Sequence, residues 1–182
     1  MRKTTVFIAQ SLDGYIATNN DEVDWLYDIE GKGDNGYQVF YDSIDTVIMG
    51  KRTYDWIVKN TETYPYNNKQ SYIITHQQDS PTNDIHFLNK SLEQSLQTIK
   101  LQKGQGIWIV GGGQLISYLL KIGYIDEIKI TVAPIILGTG IPLFQNISKQ
   151  VNLHFEKVMT YGQFIELTYT TKRTVHSTLA SR

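Results

Sequence analysis

Ile107-Trp108-Ile109-Val110-Gly111-Gly112-Gly113-Gln114-Leu115-Ile116-Ser117-Tyr118-Leu119-Leu120 joins two hydrophobic patterns of different period. The first four residues form a short unbroken apolar run, which predicts a buried strand. Leu115, Ile116, Leu119 and Leu120 recur at helical spacing and predict one buried helix face. Between the two stand three residues without side chains. Such a junction presents unpaired backbone N–H groups and the positive end of a helix dipole, a seat for a phosphate. The alternative is a tight turn that needs positive φ, where glycine is the least costly residue. Two known phosphate signatures are absent: Ile116 stands where G-x-G-x-x-G needs its third glycine, and no Gly-Lys-Ser/Thr follows.

The same arrangement recurs upstream. Thr46-Val47-Ile48-Met49 predicts a buried strand that ends at Gly50, and Lys51 to Ile57 opens a helix. Two cations at a helix start oppose the dipole, and a bound anion removes the conflict. The bland alternative is a solvated basic pair on an exposed turn. Thr4–Ala9 reads as a first strand, Ser71–Thr75 as a third and Ile85–Leu88 as a fourth. Tyr37–Ile44 reads as a short helix. Leu92, Leu96 and Ile99 mark the buried stripe of another, with Ser91 as its cap and Gln94 at the reciprocal position. Asp126–Val132 is a further strand, and Val151–Met159 with Phe164–Thr171 a closing hairpin around Tyr161-Gly162. The long polar and glycine-rich stretch from Thr18 past Gly36 has the composition of a lid. This alternation predicts an α/β fold: a largely parallel central sheet with flanking helices and a C-terminal antiparallel hairpin. Ligands bind at the carboxyl ends of such strands. Ala9-Gln10, Gly50-Lys51, Thr75-His76 and Gly111–Gly113 all follow strands, so parallel strands would bring all four to one rim.

Bulk properties narrow the class. The 182 residues fit one domain, expected over 1–173 with a frayed tail at 174–182. Hydrophobic content of 41%, charged content of 19% and a net charge of −1 suit a soluble globular chain and leave no basic footprint for nucleic acid. No apolar run approaches the roughly twenty residues of a membrane helix. With no cysteine there is no disulfide, thiolate nucleophile or cysteine metal site. His76, His86, His154 and His176 lack metal-ligand spacing. The basic-then-apolar start is too short for a signal peptide, and a cytoplasmic location is expected.

Four motifs in order carry a family resemblance. Ser11-Leu12-Asp13-Gly14-Tyr15-Ile16-Ala17 is similar to S-L-D-G-x-I-A. Val47–Tyr54 resembles V-I-M-G-R-K-T-Y, and Ile107–Gly113 resembles I-W-I-V-G-G. Ala133–Phe144 resembles A-P-x-x-x-G-x-G-x-P-L-F. Together they resemble the dihydrofolate reductase superfamily, in its branch related to the reductase domain of the bifunctional riboflavin-biosynthesis deaminase/reductase. The resemblance implies an NADPH-dependent reductase of a pteridine- or pyrimidine-like small molecule, similar to 5-amino-6-(5-phosphoribosylamino)uracil reductase or dihydrofolate reductase, and a homodimer. It implies that Ala9 and Gln10 border the nicotinamide and that Ile16 and Ala17 begin the lid. Gly50, Lys51, Arg52 and Thr53 would hold the pyrophosphate and 2′-phosphate, and Thr75 and His76 would flank the adenosine. Val110, Gly111, Gly112, Gly113, Gln114 and Leu115 would pack on nicotinamide and pyrophosphate. The charge agrees, since a 2′-phosphate can pair with Lys51 and with the fork of Arg52.

The proton donor stays open. Counting back from Val47 places the family's acid at Asp34, with Glu30 and Asp28 near; in an apolar pocket its pKa would rise to suit proton transfer. The alternative is a solvated loop acid among glycines. Asp13 is a second candidate, though Asp-Gly is also a turn. The arginine that grips a folate tail falls near Lys69, which cannot form a bidentate fork. Trp25 is expected at the pocket mouth. The competing functional reading is a non-catalytic NADPH- or nucleotide-binding regulator on the same fold.

Overall fold

The computed structural model describes residues 1–77, 81, 82 and 84–171, so the tail expected at 174–182 lies outside the described residues. Strands β1 (Thr4–Ser11) and β2 (Tyr15–Ala17) lead through a long loop to helix α1 (Tyr37–Asp42). Then follow β3 (Ile44–Gly50), α2 (Lys51–Asn60), β4 (Gln70–Ile74), β5 (Ile85–Leu88) and α3 (Leu92–Leu101). The glycine-rich stretch forms β6 (Gly106–Gly111) and α4 (Gly113–Lys121). The chain closes with β7 (Glu127–Ala133), β8 (Ile141–Pro142), β9 (Leu153–Tyr161) and β10 (Phe164–Thr171).

Eight strands form one sheet in the order β5-β4-β3-β6-β1-β7-β10-β9. The first six are parallel, and β10 and β9 are added antiparallel at the edge. The expected architecture is therefore the observed one. Strands buried on both faces read as continuous apolar runs, which is why Val47–Met49 and Ile107–Val110 announced themselves. Leu96 and Ile99 of α3 and Ile116, Leu119 and Leu120 of α4 pack with Val6, Ile48, Ile107, Ile109, Ile128 and Ile130 on one face. Phe40 of α1 and Ile57 of α2 pack with Val47, Met49, Ile73 and Trp108 on the other. Trp108 meets Phe40 edge-on at a centroid distance of 5.4 Å, an arrangement that suits the ring quadrupoles.

One local expectation fails. Ser91 makes no side-chain cap to α3, because it sits at φ 49°, ψ 44°, where its hydroxyl does not reach the first turn. Its carbonyl instead accepts from Ser95 N–H at 3.0 Å. The glycines of the loop before α1 make tight turns: Gly33 and Gly36 hold φ of 62° and 78°. This loop is docked, with the Gln163 N–H donating to the Glu30 carbonyl at 2.9 Å, so it lies against the β9–β10 turn. No described helix is long and apolar enough to cross a membrane.

Candidate active site

The sheet opens at one place. β1 and β6 pair only over Thr4↔Ile107, Thr5↔Trp108 and Val6↔Ile109. Beyond that rung β1 follows β7 to Ser11↔Ala133, while β6 shifts register and follows β3 to Met49↔Gly111. The Trp108 indole N–H donates to the Phe7 carbonyl at 3.0 Å and pins the base of the gap. Above it, Ile8, Ala9 and Gln10 face Val110, Gly111 and Gly112 across an opening at the carboxyl end of the parallel strands. The connection from β1 leaves toward β3, and that from β6 leaves toward β7 on the other side. Open α/β sheets place their ligands at such a switch point.

Two helices begin at this rim. Gly50 precedes α2 and Gly112 precedes α4, and neither helix has a side-chain cap. Their first N–H groups therefore lack intrahelical partners and face the same region. Gly50 and Gly112 are close: a β-carbon at Gly50 would lie 3.9 Å from the Gly111 carbonyl oxygen, and one at Gly112 would lie 3.5 Å from Thr53 Oγ1. A β-carbon at Gly111 would meet nothing within 4 Å. These three glycines line open space, which fits a dinucleotide backbone approached closely by main chain. Gly113 differs, since its β-carbon would press on the carbonyl oxygens of Pro142 and Leu143. Its lack of a side chain serves helix packing, and only its N–H is left to serve a ligand. Gln114 is exposed beside it and Leu115 is half-buried against the core.

The rim cations are already engaged within the chain. Lys51 Nζ pairs with Asp55 at 2.6 Å. Arg52 is 72% exposed at its side chain and reaches Asp21 with two nitrogens, at 2.7 and 3.1 Å. Thr75 and exposed His76 end β4 on the same rim, and Thr75 Oγ1 accepts from Gln77 N–H at 3.0 Å. Ile16 lies in the small β2–β8 ribbon, paired Tyr15↔Pro142 and Ala17↔Ile141.

The structure places three residues singled out from the sequence in contacts within the chain, and Asp13 is one of them. Its carboxylate accepts from Ser11 Oγ at 2.6 Å, Gly138 N–H at 2.8 Å and Leu137 N–H at 3.1 Å. The Ser11 hydroxyl, followed by those two amides, holds the carboxyl below its ordinary value. It fastens the β1–β2 turn to the loop before β8. Asp34 lies in no apolar pocket; it is exposed, and its carboxylate accepts from Gly36 N–H at 3.0 Å and Gln38 N–H at 2.6 Å. It closes the first turn of α1 as capping acids do. Lys69 stands at the amino edge of the sheet, away from the rim. Its ammonium donates to the Ile44 carbonyl at 2.7 Å and the Tyr41 carbonyl at 3.0 Å, and lies over the Tyr41 ring. It joins α1 to β3. Trp25 sits in a short 3-10 turn, Asp24–Leu26, with its indole N–H buried and no partner among the described residues.

The sequence reading missed a polar group beside the opening. Register places Ala9, Thr131 and Glu166 on one rung across β1, β7 and β10. All three share the face on which Phe7 stacks against Phe40 of α1. Glu166 is 4% exposed. Tyr161, from β9, reaches over from the hairpin turn; a β-carbon at Gly36 would lie 2.5 Å from its Oη. Desolvation, then the charges of Glu166 and Asp34, raise the Tyr161 phenol above its ordinary value, so it remains an O–H donor. The available signal was faint: a single acid inside Phe-Ile-Glu-Leu-Thr-Tyr.

Comparison with known proteins agrees with this fold. The family model described as the RibD C-terminal domain matches residues 2–167. The uncharacterised protein YwjB of Bacillus subtilis strain 168 is 41% identical over 169 residues, 92% of this chain and 97% of its own. A crystal structure of a candidate riboflavin biosynthesis protein from Shewanella sp. PV-4 superposes with a TM-score of 0.85 at 28% identity, covering 94% of this chain and 99% of that one. Dihydrofolate reductase from Enterococcus faecalis, complexed with NADP(H), shares the fold with a TM-score of 0.64 at 18% identity, over 93% and 96% of the two chains.

Proposed function

We propose that this chain, which belongs to the RibD C-terminal domain family, is an NADPH-dependent reductase of a pteridine- or pyrimidine-like small molecule. The observation that carries the reading is the gap between β1 and β6 with Gly50 and Gly112 facing it from adjacent strands. One dinucleotide laid along that rim would meet two uncapped helix starts at its pyrophosphate. Gly111 and Gly112 would let its ring approach the main chain, with Ala9 and Gln10 as the opposite wall. Arg52, exposed and held by a surface ion pair, would exchange Asp21 for a 2′-phosphate; such pairs contribute at most about 1 kcal/mol. The Enterococcus faecalis neighbour that shares this fold is complexed with NADP(H), which supports the choice of cofactor. When bound, the cofactor would supply a hydride, and Ala9, Gln10, Gly111 and Gly112 would line the place where it meets the substrate. The same reading takes residues 1–173 as one domain, working as a cytoplasmic homodimer.

The test is an NADPH titration of the purified protein, read by cofactor fluorescence and melting temperature. Saturation at about a hundred times Kd adds about 2.7 kcal/mol of stability. A flat titration removes the reading. Saturable binding without NADPH oxidation across a panel of pterins and aminopyrimidines favours the non-catalytic binder.

A further inference from the structure

Glu166 is a carboxylate buried without a hydrogen-bond donor. Its neighbour Lys129 stands 3.7 Å away, beyond hydrogen-bond reach. Among the described residues no other group donates to it or pairs with it. Yet its oxygens are not sealed off, unlike the Thr168 hydroxyl next to it, which is buried without a partner. A carboxylate removed from water costs free energy until donors reach it. The surroundings define where those donors would enter. Thr131 adjoins Glu166 on β7, Ala9 follows on β1, and two strand spacings make that span about 10 Å. Tyr161 and the start of α1 wall the opposite side. Ala9, the far end of that rung, borders the gap between β1 and β6.

We propose that the Glu166 carboxylate receives the polar edge of the substrate, a planar nitrogen heterocycle that presents two adjacent N–H donors. A carboxylate accepts two parallel N–H bonds in one plane, as it does from a guanidinium. The Thr131 hydroxyl and the Tyr161 O–H add directional contacts at the ring margin. A site built this way rejects analogues that lack either N–H, because its buried acceptor is then left unpaired. The proposal rests on the reductase reading for the neighbouring groove, and it places a substrate-holding acid on β10.

The probe is pterin (2-amino-4-oxopteridine), whose ring N3–H and 2-amino N–H lie side by side, followed by its own fluorescence and added to wild type with and without saturating NADPH. Glu166→Gln is expected to weaken the probe about ten- to a hundredfold while NADPH affinity is retained. Glu166→Asp, which keeps the charge but withdraws it, is expected to fall between the two. Thr131→Val, expected to lose several-fold, covers the case in which both Glu166 variants fail to fold. Wild-type affinity in Glu166→Gln and Thr131→Val overturns the proposal, as does a wild type that binds NADPH and ignores the probe. Probe binding that depends on Glu166 in a protein that does not bind NADPH upholds the assignment and removes the reductase reading instead.

Discussion

Gly112 and Gly113 are adjacent in sequence, yet substituting each by alanine should have opposite consequences. A methyl at Gly113 would lie 2.8 Å from the Leu143 carbonyl oxygen and closer still to that of Pro142. An ordinary C–H···O approach is about 3.3 Å, so α4 or the segment at 142–143 must move by about 0.5 Å or more. Both obstacles are main chain and cannot swing aside. Overpacking of this kind costs about 1–3 kcal/mol, or about 2–12 °C in melting temperature for a chain of this size. At Gly112 the nearest atom to a new methyl is Thr53 Oγ1 at 3.5 Å, and φ is −83°, which alanine adopts readily. Stability should therefore hold within about 0.5 kcal/mol, while the methyl projects into the gap and weakens NADPH about tenfold or more. Differential scanning fluorimetry and NADPH titration on the two variants read both axes. A Gly112→Ala protein that binds NADPH as wild type does would refute the placement of the cofactor. An unaltered melting temperature in Gly113→Ala would refute the packing argument.

Arg52→Ala should weaken NADPH about tenfold, leave NADH unchanged and move the melting temperature little, since its ion pair with Asp21 is exposed; equal loss for both cofactors counts against a 2′-phosphate contact. Asp13 titrates below its unfolded value of about 3.9, so its stabilisation is complete above that value and is lost as pH falls through the lower folded one. Asp13→Asn should accordingly melt below wild type at pH 7, with the gap closing in acid; a gap constant down to pH 2 would contradict the role given to Ser11 and the Leu137–Gly138 amides.

What could be read in advance followed from periodicity and punctuation. Val47–Met49 and Ile107–Val110 are apolar on both faces because helices cover both, and their glycines mark the point where strand becomes helix. The rim followed once the strands were taken as parallel. Side-chain partnerships were not legible in the same way. Lys69 and Asp13 look like ligand-binding charges, but the carbonyls of Tyr41 and Ile44 and the amides of Leu137 and Gly138 come from parts of the chain that only folding brings near. Asp34 was placed by counting back along a helix whose start carries Gly33 and Gly36 in left-handed turns, and there the carboxylate meets main-chain N–H groups. Glu166 was hidden for a different reason. Alternation in Phe164–Thr171 says that its face differs from that of Ile165, and alternation alone does not say which face is covered.

The brief contact between β1 and β6 divides the sheet into two leaves that join along three rungs. One leaf, β5-β4-β3-β6, carries the uncapped helix starts; the other, β1-β7-β10-β9, carries Thr131, Glu166 and Tyr161. On the proposed reading, cofactor binding and substrate selection fall on separate pieces of scaffold. The last hairpin, Leu153 to Thr171, could then be rewritten through descent or by a protein engineer to accept new molecules without disturbing the glycines assigned to the nucleotide.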